Sequence, residues 1–167
     1  VVFSLLGHVV GQIAGSRVPV ITGIERATED QLKALGSAAA STGAVALYHV
    51  VGVTPEAPTL EACFPPGGSW PVVTVTADRL RAAWHELTTG RGGRIAAVCV
   101  GTPHFSEAEF EQVVHLLAGR TVHPDTPLYA STGRYVLDRI RERGLLASLE
   151  ASGVRIVTDT CTYNVPV

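Results

Sequence analysis

The sequence contains no methionine. It opens inside an apolar segment, VVFSLLGHVVGQIAG, without the basic start of an export signal, and it closes at TYNVPV. An internal piece of a longer protein is the expectation. No apolar run approaches the roughly 20 residues that a bilayer span requires, so a membrane partner is not expected. No basic stripe is present either. With 13 Lys and Arg against 15 Asp and Glu, the net charge is −2, and scattered arginines do not make a nucleic-acid footprint. There is no repeat beyond the alternation described below, and no low-complexity segment. A C-x-x-C pair, a G-x-G-x-x-G turn and a Walker lysine pattern are all missing, which removes the common nucleotide-binding signatures.

What is present suits a single α/β domain of 167 residues with 46% apolar residues and mean hydropathy +0.26. Short apolar runs alternate with helical patterns. RVPVITGI (17–24), AVALYHVVGV (44–53), PVVTVT (71–76), RIAAVCVG (94–101), PLYAST (127–132) and GVRIVTDT (153–160) read as strands. Between them, Thr28 with Gln31 and Ser106 with Glu109 form capping-box pairs that open helices. Thr54-Pro55 predicts a short helix after the second strand. ADRLRAAWHELTTG and GRYVLDRIRERG read as further helices. Strands without polar alternation are buried on both faces. The pattern therefore predicts a parallel or mostly parallel sheet covered by helices, a Rossmann-like three-layer sandwich.

Ligands in such sheets sit beyond the carboxyl ends of the strands, and several reactive side chains fall there. His49 is late in the second strand, followed by Thr54 and Glu56. Cys99 is followed by Thr102 and His104, Ser131 and Thr132 end the fifth strand, and Asp159, Thr160 and Cys161 end the sixth. His85, His115 and His123 fall on helices and a loop, and have surface or packing roles. His104 follows Pro103 at a helix entrance. It either hydrogen-bonds to backbone or binds a carboxylate and moves a proton. Glu56 and His49 carry the same choice between packing and acid–base work. Ser41 and Thr42 stand at a helix end, where capping or contact with an anion would both use them. Cys63, Cys99 and Cys161 are either free cysteines or the thiolates of a site assembled from distant loops. Free cysteines and the missing export signal favour the cytoplasm.

GVTPEA, GTPHFS and DTCTY occur in that order. With the segments around them they resemble the large, catalytic region of the aconitase X family, and the similarity covers nearly the whole chain. That resemblance implies an iron–sulfur hydro-lyase of the kind that includes cis-3-hydroxy-L-proline dehydratases and archaeal mevalonate 5-phosphate dehydratases. It implies a small swivelling domain or subunit as partner. It also implies a cluster, 2Fe–2S in first place and 4Fe–4S as the alternative, held by Cys161 with Cys63 and Cys99 as further ligands. Many relatives carry cysteine directly before the Pro-His pair, where this sequence has Thr102. That departure points towards the hydroxyproline group rather than the phosphomevalonate enzymes.

On this likeness the substrate is a small hydroxy acid, most readily cis-3-hydroxy-L-proline, dehydrated to 1-pyrroline-2-carboxylate. His104, Glu56 and His49 would be the acid–base candidates. Ser41, Thr42, Thr54, Thr102, Ser131 and Thr132 would be substrate contacts. A non-catalytic α/β interaction domain is the reading from another class.

Overall fold

A computed structural model describes residues 1–161. The chain is an α/β protein that divides into two compact units, Val1–Gly90 and Arg91–Val167. Composition suggested one core. Instead there are two, one around Val10, Ala14, Ala39 and Val45 and another around Phe110, Ile140 and Leu149. The exposed, glycine-rich stretch 88–93 has no large apolar side chain with which to join them. Among the described residues no helix is long and apolar enough to cross a membrane.

In the first unit the opening segment forms α1 (Val2–Ala14), which packs against α2 (Glu29–Gly43). The sequence reading left this segment without an element. The contact explains its glycines: a Cβ on Gly7 would meet the Leu35 carbonyl oxygen at 2.2 Å, and one on Gly43 would meet that of Gly11 at 2.0 Å. Backbone therefore lies directly on backbone. The predicted capping box opens α2, with Gln31 N–H donating to Thr28 Oγ1 at 3.2 Å and Thr28 N–H donating to Gln31 Oε1 at 2.9 Å. β1 (Val20–Ile21) and β2 (His49–Val50) pair in parallel, Val20 opposite His49. Both are much shorter than predicted.

The helix predicted at Thr54-Pro55 does not form. Thr54 Oγ1 accepts from Val50 N–H at 3.0 Å and donates to the Val50 carbonyl at 3.2 Å, closing a turn backwards instead of capping forwards. A single 3-10 turn follows at Glu61–Cys63. Residues 71–76 are not a strand either. No neighbouring strand among the described residues pairs with them, and Val72 stays 91% exposed. Thr76 instead caps α3 (Ala77–Leu87) by accepting from Arg79 N–H at 3.3 Å.

The second unit runs β3 (Val98–Val100), α4 (Glu107–Leu117), β4 (Leu128–Thr132), α5 (Arg134–Glu142), α6 (Leu145–Ala151) and β5 (Val154–Thr158). The strands are parallel in the order β3-β4-β5, with Cys99 opposite Tyr129 and Tyr129 opposite Arg155. The predicted six strands thus become two sheets, of two and three strands, among the described residues. α4 opens on the predicted box, Glu109 N–H donating to Ser106 Oγ at 3.2 Å and Ser106 N–H to Glu109 Oε2 at 3.0 Å. Gly144, with φ 72°, separates α5 from α6 where the predicted helix segment ends, and of the two only α6 was not foreseen. Phe110, Ile140 and Leu149 come one from each helix and meet Ala130 and Val154 of the sheet. Right-handed crossovers between sequential strands put all three helices on that side. The row of Cys99, Tyr129 and Arg155 alternates to the other face.

Candidate active site at the carboxyl ends of β3, β4 and β5

All three strands of the second unit end at one edge, and the connection after β3 is bolted to β4 there. Gly101 has φ 91°, and a Cβ on it would lie 2.2 Å from the Ser131 carbonyl oxygen. Only glycine satisfies both the backbone angle and the contact. Phe105 N–H donates to the Ser131 carbonyl at 3.0 Å, and Thr132 Oγ1 donates to the Phe105 carbonyl at 2.7 Å. Between these ties sit Thr102, Pro103 (joined to Thr102 by a cis peptide bond) and His104.

His104 Nε2 lies 3.0 Å from the Thr160 carbonyl oxygen. A carbonyl only accepts, so Nε2 carries the proton and Nδ1 holds the lone pair of the neutral ring. Thr102 Oγ1 lies 3.7 Å from Cys161 Sγ. The structure thus brings together Thr102, His104 and Cys161, with Ser131 and Thr132 on the adjoining strand. Thr132 is fully buried and its hydroxyl is committed to Phe105. Ser131 Oγ is also buried and makes no hydrogen bond among the described residues.

Sequence reasoning left a salt bridge out of its candidate set. Asp159 follows β5, its N–H donating to the Thr132 carbonyl at 2.9 Å. One carboxylate oxygen accepts from Arg134 N–H at 3.0 Å. The other takes Arg134 Nε at 2.7 Å and Nη2 at 2.6 Å. Gly133, the N-cap of α5, has no side chain to offer. Asp159 therefore caps that helix from across the sheet, where its negative charge also suits the helix dipole. The Arg134 N–H, then its guanidinium, hold the Asp159 carboxyl below its ordinary pKa against the opposing effect of burial, and His104 adds to the lowering. The two residues are 25 apart, a spacing that carries no signal in a sequence.

The remaining candidates are placed differently. Cys99 is exposed within β3, in the row with Tyr129 and Arg155, whose guanidinium donates to Tyr129 Oη at 2.9 Å. Cys63, Glu56, His49, Thr54, Ser41 and Thr42 belong to the first unit. There Cys63 Sγ donates to the Thr59 carbonyl at 3.4 Å, and Ser41 Oγ donates to that of Ser37 at 2.9 Å. Glu56 is exposed, and His49 Nδ1 is buried with no hydrogen bond among the described residues. Thr42 Oγ1 meets His8 Nδ1 at 3.0 Å, and Gln12 Nε2 donates to His8 Nε2 at 3.2 Å. His8 and Gln12 are four apart on α1, a signal available only once that segment is read as a helix. Among the described residues no three His, Cys, Asp or Glu side chains stand together as a metal ion needs. The Thr162-Tyr163 end of DTCTY lies outside the described residues.

A parallel α/β unit with polar and thiol side chains gathered beyond its strand ends is the architecture of an enzyme-type ligand site. Comparison with known proteins carries this further. The family model for the aconitase X second domain matches residues 1–85, and that for the third domain matches residues 95–167. The chain belongs to the aconitase X family. It is 40% identical over 163 residues to the cis-3-hydroxy-L-proline dehydratase of Pseudomonas aeruginosa, covering 95% of this chain and 28% of that protein. It is 35% identical over 159 residues to the phosphomevalonate dehydratase large subunit of Methanosarcina mazei, covering 95% of this chain and 37% of that subunit. A crystal structure of holo-form aconitase X from Thermococcus kodakaraensis superposes with TM-score 0.83 at 30% identity, over 95% of this chain and 40% of that one. The chain thus spans well under half the length of these relatives.

Proposed function

We propose that these residues form part of a hydro-lyase that dehydrates a small hydroxy acid, with cis-3-hydroxy-L-proline as substrate and 1-pyrroline-2-carboxylate as product. The observation that supports this reading is the meeting of an imidazole, a hydroxyl and a thiol at the carboxyl edge of β3–β5, in a chain whose relatives are named dehydratases. A base takes the α-proton, and the electron pair of that carbon–hydrogen bond becomes the C2=C3 double bond as the C3–oxygen bond breaks. The departing hydroxide takes a proton to leave as water. The resulting enamine tautomerises to the cyclic imine.

His104, pinned through Nε2, moves a proton at Nδ1. The hydroxyls of Thr102 and Ser131 orient the substrate, Ser131 with hydrogen-bonding capacity that no described residue uses. Thr132 is a strand-end tie rather than a substrate contact. Arg134 is the guanidinium bonded into this edge, and Asp159 already neutralises it. An imino acid therefore suits the edge better than a phosphate dianion. His49, Glu56, Thr54, Ser41 and Thr42, in the other unit, carry no step in this scheme.

The cluster that the resemblance implies is not built by the described residues. Cys161 lies beside Thr102, Cys99 lies within a strand, and among the described residues no three ligating side chains converge. No step is therefore routed through iron. The length of the relatives supports further polypeptide as part of the working enzyme, and the name "large subunit" supports a smaller partner.

The test is turnover by the longest polypeptide containing these residues, purified without oxygen and offered cis-3-hydroxy-L-proline, with product followed by proton NMR. Iron and acid-labile sulfide are measured on the same sample. His104→Gln should lower kcat by about 100-fold, the scale of lost general acid–base catalysis. No product from a folded, complete preparation would sink the reading. Turnover of mevalonate 5-phosphate alone would move the substrate to the other branch of the family.

A further inference from the structure

We infer that Asp159 and Arg134 form a latch that sets the direction of the chain after β5, and so positions both the His104 ring and the Cys161 thiol. Asp159 is then a positioning residue of the strand-edge site. The inference rests on the hydro-lyase reading of this edge, but its test requires no turnover.

β5 ends in register with β4, Thr158 opposite Thr132, and the Asp159 N–H adds one more bond to the Thr132 carbonyl at 2.9 Å. A further extended residue would carry the chain straight on, past the edge. Asp159 instead takes φ 57°, in the left-handed region that short polar side chains tolerate better than most. That turn delivers the Thr160 carbonyl to His104 Nε2 at 3.0 Å and places Cys161 Sγ 3.7 Å from Thr102 Oγ1.

A non-glycine residue in this conformation persists only where its surroundings hold it. Here the holding group is Arg134, through its backbone N–H at 3.0 Å and two guanidinium nitrogens at 2.7 and 2.6 Å. A planar guanidinium and a carboxylate fix direction as well as distance. Arg134 is itself fixed as the first residue of α5, which packs through Ile140 into the core of the unit. The order of the helix is thereby passed to the two side chains at the edge.

Three variants of the chain separate the parts of the latch. Asp159→Asn keeps an acceptor without the charge. Asp159→Gly keeps the backbone angle without the carboxylate. Arg134→Ala keeps the N–H without the guanidinium. Alkylation rates of Cys161, Cys63 and Cys99 are read by peptide mass spectrometry in one digest, and the His104 ring tautomer by nitrogen-15 shifts. For Asp159→Gly and Arg134→Ala the Cys161 rate should rise roughly threefold to fivefold, the scale of an exposed ion pair. Cys63 and Cys99 should stay constant, and the neutral His104 ring should lose its bias to the Nε2–H form. Asp159→Asn should fall between, and combining the two changes should add little, since both break one unit. Unchanged Cys161 rate and tautomer in the folded variants would overturn the latch. So would a parallel rise at Cys99, which marks general loosening. If Asp159→Gly does not fold, Arg134→Ala decides alone.

Discussion

A carboxylate on the rim of a sheet is ordinarily a solvated group with an ordinary titration. Asp159 departs from this because its oxygens are taken by the Arg134 N–H and guanidinium, which stabilise the charged form. Its folded pKa is lowered, so its contribution to stability is complete above the unfolded value and disappears as pH falls through the folded one. The carbon-13 shift of its carboxyl should therefore titrate with a midpoint below the ordinary value of about 3.9. In Arg134→Ala the midpoint should climb back towards that value. An equal midpoint in both proteins would show that the ion pair does not persist in solution. His104 was legible as a candidate because Pro103 and a capped helix flank it in seven residues of sequence. Its partner beyond β5 was not, because the pairing of β4 with β5 and the turn at Asp159 together bring the Thr160 carbonyl to residue 104.

At the scale of elements, legibility followed the locality of the forces. The helices opened by Thr28 and Ser106 were readable because both halves of a capping box lie within four residues. β4 and β5 were readable as short runs that are mostly apolar or β-branched. PVVTVT is at least as rich in such residues, yet a strand exists only if another strand accepts its hydrogen bonds, and none among the described residues does. α1 was missed for a related reason: its glycines read as a failed nucleotide loop, whereas they are a packing surface whose other half begins 28 residues later, at Leu35. That interpretation predicts the sign of a substitution. Gly→Ala inside a helix normally stabilises by about 0.5–1 kcal/mol. At Gly7 the new Cβ would sit 2.2 Å from the Leu35 carbonyl oxygen, and overpacking against backbone costs about 1–3 kcal/mol. Gly7→Ala should therefore destabilise, read as a lower urea midpoint at unchanged m-value. A stabilised variant would mean that α1 and α2 do not pack backbone to backbone.

Taken whole, the molecule places everything the strand-edge reading uses in one of its two units. Thr102, His104, Ser131, Asp159 and Cys161 all lie between Arg91 and the end of the chain, around a core that draws on three helices and a sheet of that unit. The stretch 88–93 is exposed throughout and carries Arg91 between glycines. Arg139 and Arg94 are tied by ion pairs, to Glu107 at 3.2 Å and to Asp125 at 3.4 Å, and Arg17 and Arg120 are tied to backbone carbonyls, whereas Arg26 is exposed outside regular structure but has no neighbouring glycine. Limited trypsin treatment should accordingly cut first after Arg91, because cleavage needs a segment that can leave regular structure cheaply. The carboxyl-terminal fragment should then keep the His104 Nε2–H tautomer, since the Thr160 carbonyl and the latch that aims it travel with that fragment. First cuts at Arg139 or Arg143 would show that the second core is the weaker part. A clean cut at Arg91 with loss of the tautomer signature would show that the edge depends on residues outside its own unit, and the chemistry assigned to His104 would need a partner from there.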